Sequence, residues 1–183
     1  MVPLYLVRHG QDIDNAAGVL NGHRDEPLTT KGRREARDCA RRLKSARIDI
    51  VVSSPLKRAL ETAQIVAGAW SYSETIVIDA QLIERDFGTL TGTLEADIEK
   101  NSRDVRCVGG TTYFLSGPGI EGFPSVFGRA QRFLDRVNEE WSGQTVLVVT
   151  HGDTGKMIRA ARLGMRWEKG LEFSLPNAAA IRL

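Results

Sequence analysis

The sequence predicts an α/β domain built on a largely parallel sheet. Three observations carry this. Short apolar, β-prone runs at 2–7, 48–52, 75–78 and 145–149 alternate with stretches of helical periodicity. The connections between them are short, as in βα units. Two of the three histidines, His9 and His151, stand just past such runs, in Arg8-His9-Gly10 and Thr150-His151-Gly152. In parallel sheets, ligands bind beyond the carboxyl ends of the strands.

In chain order, strand 2–7 leads into Arg8-His9-Gly10 and a polar loop, Gln11-Asp12-Ile13-Asp14-Asn15. A second loop, 20–28, carries turn chemistry throughout. Thr29 or Thr30 caps a helix to about residue 45, with Ala36, Cys39, Ala40 and Leu43 on its apolar face. After strand 48–52, Ser53-Ser54-Pro55 reads as a serine cap with proline at the first helical position. The stripe Leu56, Ala59, Leu60, Ala63 and Val66 then puts Arg58 in the first helical turn. Strand 75–78 is followed by a loop, 82–88, that holds Glu84. Residues 101–122, with Gly109, Gly110, Gly117, Gly119 and Gly122, read as a loop or lid around Thr112-Tyr113-Phe114-Leu115. A helix over 124–141 turns Phe127, Ala130, Phe133, Leu134 and Val137 inward. Strand 145–149, helix 154–163 and an edge strand at 178–183 complete the chain. No repeat, linker or low-complexity tract interrupts it.

The 183 residues suffice for one domain, 1–183, that removes about 70% of the unfolded chain's surface from water. Hydrophobic residues are 42% and charged residues 26%, which argues against disorder. A net charge of +2 requires no nucleic-acid partner and suits small anions. Between Arg24 and Arg47, nine Lys/Arg face four Asp/Glu. That reads as a solvated helix face with pairs such as Asp38–Arg42, or as a weak steering field for phosphorylated ligands. It lacks the aromatic interleaving of an RNA surface. Cys39 on a helix face and Cys107 in a loop require no disulfide, so a reducing, cytoplasmic setting is expected. The N-terminal apolar run is too short for a signal sequence or membrane span.

Two arginines, two histidines and one glutamate, namely Arg8, Arg58, His9, His151 and Glu84, thus converge on one crevice. Arginine's planar fork matches phosphate oxygens. Helix N-termini after Gly10, Ser54 and Gly152 add backbone donors. A neutral imidazole can take a phosphoryl group covalently. A carboxylic acid can protonate the leaving oxygen and later accept a proton from water. The set is complete for metal-free phosphoryl transfer. Each piece has a plain alternative: a charged strand end for Arg8 and His9, a core histidine for His151, a solvated arginine for Arg58. His23 reads either as a surface residue of a polar turn or as a pocket-lining one. The scattered histidines and cysteines lack zinc-type spacing, and neither a phosphate-binding Gly-x-x-x-x-Gly-Lys-Ser/Thr loop nor Gly-x-Ser-x-Gly occurs.

Five ordered blocks add a resemblance to these readings. Leu6-Val7-Arg8-His9-Gly10 with Asn15, Gly22-His23-x-Asp25-x-Pro27-Leu28-Thr29, and Ser53-Ser54-Pro55-Leu56-x-Arg58-Ala59 are the first three. Leu82-x-Glu84-Arg85-x-Phe87-Gly88 and Val148-Val149-Thr150-His151-Gly152 follow. Together with Glu121 eight residues before Arg129, the pattern resembles branch 1, the phosphoglycerate mutase-like branch, of the histidine phosphatase superfamily. The resemblance implies a three-layer sandwich with a mostly parallel central sheet flanked by helices. It implies His9 as the phosphorylated nucleophile and Glu84 as the proton donor. Arg8, Arg58 and His151 would complete the phosphate pocket, with Asn15, Asn21, Gly22 and the Gly152 backbone lining it. Lys156, where many members carry arginine, reads as a surface change. The family's mutases carry a longer, arginine-containing insertion between the segments of Glu84 and Glu121. Here that stretch is short, with only Lys100, Arg103 and Arg106 as basic residues. The expectation is a metal-independent phosphatase of a small phosphorylated metabolite, without cofactor, working through phosphohistidine. The alternatives are a cofactor-dependent phosphoglycerate mutase and a non-catalytic phosphate-binding module.

Overall fold

A computed structural model describes residues 1–70 and 72–183. Its central sheet is five-stranded in the order β3-β2-β6-β1-β7. The strands are β1 (Leu4–Arg8), β2 (Ile50–Ser53), β3 (Val77–Ile78), β6 (Val146–Thr150) and β7 (Ala180–Arg182). β3, β2, β6 and β1 run parallel, and β7 closes the far edge antiparallel to β1. Strand β6 lies at the middle, and all five of its residues are buried. Its side chains alternate between two cores, as the pleat requires. Leu147 and Val149 pack with Val7, Val51 and the helices α2 (Thr30–Arg42) and α3 (Lys57–Gly68). Val146 and Val148 pack with Leu4, Leu6 and the helices α5 (Phe123–Glu140) and α6 (Gly152–Arg162). The result is helix, sheet and helix in three layers, as expected.

Several expected boundaries move for identifiable reasons. β1 and β6 each extend one residue further, because pairing continues to Arg8 opposite Thr150. Ser53-Ser54-Pro55 does not cap a helix. Ser53 still pairs in β2, and the Ser54 N–H donates to the Val149 carbonyl at 3.0 Å. Helix α3 therefore starts at Lys57, with no side-chain cap at Leu56. Leu60 is only half-buried, outside the stripe's fully buried set. The loop after Gly10 contains a short helix, α1 (Ile13–Ala17), capped by Asp12 and ended by Gly18 at φ +66. Thr29, rather than Thr30, caps α2, its hydroxyl accepting the Gly32 N–H at 3.0 Å. The pair expected between Asp38 and Arg42 is instead Asp38 with Arg41. Arg42 donates to the Ala178 carbonyl.

The expected loop or lid contains ordered structure. After α4 (Ile98–Asn101), strands β4 (Val105–Val108) and β5 (Thr111–Phe114) form an antiparallel hairpin that places Cys107 on β4. Gly109 and Gly110, at φ +56 and +79, make its two-residue turn, which needs positive φ at both positions. A short helix, α7 (Trp167–Gly170), follows α6 and precedes the C-terminal segment that leads to β7.

Gly10 is required by close packing and not by its backbone conformation. It does not occupy the left-handed region. A Cβ there would stand 2.4 Å from the Gly32 carbonyl oxygen, and one on Gly32 would stand 2.1 Å from the Gln11 carbonyl oxygen. The turn after β1 thus rests directly on the first turn of α2, backbone against backbone. Gly32→Ala should destabilise the protein by about 1–3 kcal/mol through overpacking. It should also displace His9, and urea denaturation together with an activity assay would show both effects.

Candidate active site

Strand register brings the two histidines together. Arg8 and Thr150 are partners across β1 and β6, so the next residues, His9 and His151, leave the sheet side by side. Their ring centroids lie 5.0 Å apart. His9 is anchored at its backbone: its N–H donates to Thr150 and its carbonyl accepts from Ala178. Its Nδ1 lies 2.7 Å from the Gly10 carbonyl. A carbonyl only accepts, so Nδ1 carries the ring proton and Nε2 keeps its lone pair. His151 Nε2 lies 2.7 Å from Ser54 Oγ. The other partner of that hydroxyl, the Leu56 N–H, is a donor, so among the described residues only His151 Nε2 is left to accept its hydrogen. His151 Nδ1 is then a buried N–H donor without an acceptor.

The arginines arrive from two layers. Arg8 donates through Nη1 to the Leu175 carbonyl at 3.0 Å. Arg58, fully buried in the first turn of α3, donates to the carbonyls of Arg24 and Gly22 at 2.5 and 2.8 Å. Its Nε stands 3.2 Å from Asp12 Oδ2, outside hydrogen-bond alignment. Both Nε atoms are buried without a hydrogen-bond partner. Buried donors of this kind are costly unless an acceptor completes them. Together with His151 Nδ1 they form a floor suited to an anion.

Glu84 is buried at the N-terminus of α6. Its carboxylate accepts the N–H groups of Arg85, Asp153 and Thr154 at 2.8, 3.2 and 3.1 Å. Burial pushes its pKa up, but these bonds and the Arg58 charge outweigh it and hold the carboxyl below its usual range. Glu84 is therefore ionised. For both histidines burial is the largest influence, reinforced by the cationic neighbours Arg58 and Arg8. Both are held well below the ordinary imidazole value of 6.5 and are neutral.

Above this floor opens a cavity of about 400 Å³. Arg8, Asn15, Asn21, Glu84 and Gly152 line it, while His9, Arg58 and His151 lie beneath, each 2% exposed or less. Gly22 and His23 stand behind the wall. The Gly22 carbonyl holds Arg58, and His23 Nε2 holds the Glu84 carbonyl at 2.7 Å. Asn21 donates to Asp12 Oδ2 at 2.7 Å. Tyr113 and Phe114 are at once cavity wall and core beneath the hairpin. Among the described residues no group of three His, Cys, Asp or Glu side chains is placed to hold a metal.

Sequence reasoning passed over several residues. Asp12 is fully buried and accepts from Asn15 N and Asn21 Nδ2. Arg85 is buried among Phe87, Phe114 and Phe123, donating to Asp153 at 2.8 Å. Lys156, expected at the surface, lines the cavity and donates to the Tyr113 hydroxyl at 2.8 Å. It lies one helical turn after Gly152, a spacing that places both on the same side of α6.

A family model described as the histidine phosphatase superfamily (branch 1) matches residues 4–183. The chain belongs to that superfamily branch. Within it, this histidine phosphatase homologue is 32% identical to phosphoserine phosphatase 1 of Hydrogenobacter thermophilus, over 98% of the chain and 84% of the relative. It is 33% identical to a 2,3-bisphosphoglycerate-dependent phosphoglycerate mutase of Mesorhizobium japonicum, over 97% and 89%. The alpha-ribazole phosphatase of Shigella flexneri superposes with a TM-score of 0.82 at 25% identity, over 99% and 89%. No helix among the described residues is long and apolar enough to cross a membrane.

The buried histidines make stability depend on pH. On unfolding they return to about 6.5, so below that value the unfolded chain binds more protons than the folded one. Stability is fully retained above 6.5 and lost as pH falls towards the depressed folded values. The urea midpoint should drop between about pH 7 and about pH 5, and replacing both histidines by asparagine should flatten that drop.

Proposed function

We propose that the protein hydrolyses phosphomonoesters of a small phosphorylated metabolite, with His9 as the phosphoryl acceptor. The observation that carries this reading is the His9 ring. Its proton is committed to the Gly10 carbonyl, and burial, reinforced by its cationic surroundings, keeps Nε2 unprotonated. An imidazole held this way is a nucleophile at neutral pH.

In this scheme the phosphate rests on Arg8 Nε, Arg58 Nε, His151 Nδ1 and the Asn15 amide. The Nε2 lone pair forms the N–P bond as the bond from phosphorus to the alcohol oxygen breaks. That oxygen takes its proton from Glu84. The phosphate's negative charge beside Glu84 raises the carboxyl's proton affinity, which supplies the acid form once substrate is bound. Water then attacks phosphorus while the Glu84 carboxylate takes a water proton. The N–P bond breaks and its electron pair returns to Nε2, releasing inorganic phosphate.

Water is favoured over a second phosphoacceptor by the hairpin. Val108, Thr111, Thr112, Tyr113 and Phe114 reach the cavity, but Lys100, Arg103 and Arg106 are not among its lining residues. The 84–121 segment thus brings only Arg85 as a cation to the wall, and Arg85 is engaged by Asp153. The relatives named phosphoserine phosphatase and alpha-ribazole phosphatase support hydrolysis. The free thiols Cys39 and Cys107 suit the reducing, cytoplasmic setting that belongs to the same proposal.

His9→Ala should lower hydrolysis of p-nitrophenyl phosphate by at least about 10³-fold while the protein stays folded by circular dichroism. Undiminished turnover would remove His9 from the mechanism. Glu84→Gln should slow dephosphorylation by roughly 10²–10⁴-fold. The activated ester, whose leaving group needs no acid, should then leave an acid-labile phosphoenzyme visible after rapid quenching. Incubation with 3-phosphoglycerate and a bisphosphorylated primer, followed by ³¹P NMR, should yield no 2-phosphoglycerate; its appearance would favour the mutase.

A further inference from the structure

The C-terminal segment between α7 and β7 contains a residue that the scheme above does not use. Asn177 places its side-chain nitrogen 3.1 Å from the His9 carbonyl and 3.0 Å from Asn15 Oδ1. The chemistry of these partners settles both amide orientations. The His9 carbonyl only accepts, so the group facing it must be the Asn177 NH₂. That NH₂ has a second hydrogen, and its partner on Asn15 must therefore be the oxygen. Asn15 is left with its own NH₂ towards the cavity it lines. An amide turned the other way would present an oxygen to an anion and repel it.

The neighbouring backbone holds Asn177 in place. Ala178 adopts φ +52, a left-handed conformation that costs a non-glycine residue about 1–2 kcal/mol. In that conformation its N–H reaches the carbonyls of Arg8 and His9 at 3.0 and 3.1 Å. The Ala178 carbonyl accepts from Arg42 at 2.9 Å, tying the strained residue to α2. The His9 carbonyl thus receives two donors from successive residues, Asn177 through its side chain and Ala178 through its backbone. The Asn15 backbone is fixed independently, its N–H donating to Asp12 Oδ1 at 2.7 Å. Only the rotation of its amide is left to be set, and Asn177 sets it.

We infer that Asn177 is a positioning residue: it orients the Asn15 amide as a hydrogen-bond donor to the phosphoryl group and acts on the reaction through Asn15. The inference rests on the reading of this cavity as a phosphate site. Its test uses binding of inorganic phosphate, which needs no turnover, so hydrolysis by the wild type judges the phosphatase reading separately.

The experiment is a double-mutant cycle on Asn15 and Asn177, read by calorimetric titration with inorganic phosphate and by p-nitrophenyl phosphate kinetics. Asn177→Ala and Asn15→Ala should each weaken phosphate binding by about tenfold, the worth of one hydrogen bond to an anion. The double variant should bind like Asn15→Ala alone, because the second change removes nothing once the Asn15 amide is gone. Asn177→Asp should be worse than Asn177→Ala, since a carboxylate donates nothing and adds repulsion. In kinetics the loss should fall mainly on KM. A purely structural role would instead lower the thermal midpoint and weaken binding equally in both backgrounds. Additive effects, or unchanged phosphate binding in Asn177→Ala, would overturn the inference. A wild type that binds no phosphate would overturn this inference, whereas a wild type that binds phosphate but hydrolyses no p-nitrophenyl phosphate would overturn the phosphatase reading alone.

Discussion

The parallel pairing of β1 with β6 is the constraint on which the rest depends. Side chains alternate along a strand, so a slip of one residue would turn His9 or His151 to the opposite face. Leu4 against Val146 and Leu6 against Val148 belong to one core, and Val7 against Val149 to the other. Every apolar residue in the pair has a committed side, and the hydrophobic effect therefore enforces the register. The two imidazoles meet as a consequence, each one step beyond the last paired residue. β2 enters the same arrangement through Ser53 opposite Val149, which brings Ser54 onto His151.

Positive charge at the buried floor is tolerated because its neighbours are arranged around it. Arg58 is enclosed by the carbonyls of Gly22 and Arg24 and by the Asp12 carboxylate. Glu84 is enclosed by the amides at the start of α6. Burial opposes ionisation of the histidines and the carboxylate alike. It prevails at the histidines, where the neighbouring charges are also positive, and is overcome at Glu84, where three N–H groups and a cation oppose it. The same low-dielectric setting yields neutral imidazoles beside an ionised acid. In the proposed scheme the neutral imidazole is the acceptor, and Glu84 gains its proton only once a phosphate binds beside it.

Another wall of the cavity is built from a different part of the chain. The β4–β5 hairpin brings Tyr113 and Phe114 over the site. Arg85 joins it to the N-terminal end of α6 by donating to the Phe114 carbonyl and to Asp153 while lying against three aromatic rings. Lys156 reaches back from α6 to the Tyr113 hydroxyl. The hairpin is thus fastened to the helix whose first amides hold Glu84, and the shape of the cavity wall is coupled to the position of that carboxylate.

The sequence by itself determined the class of fold and marked the side chains that the structure gathers at the cavity, because both rest on local patterns. Alternation and helical periodicity report which faces are buried, and Arg8, His9, Arg58, Glu84 and His151 all follow or open elements that such patterns mark. The start of α3 was misread because Ser53-Ser54-Pro55 satisfies the local rules for a cap. Only pairing with β6 shows that Ser53 and Ser54 still belong to the strand end. The hairpin was legible in part: Gly109-Gly110 is a turn signal, but five glycines in a short stretch hid it. Tertiary structure alone decided the half-buried place of Lys156 in the cavity wall, the reason for Gly10 and the contact of Asn177 with Asn15. Lys156 meets Tyr113 across 43 residues, Gly10 meets Gly32 through backbone, and Asn177 meets Asn15 across 162 residues. Such contacts are set by how distant segments pack, and no spacing along the chain encodes them.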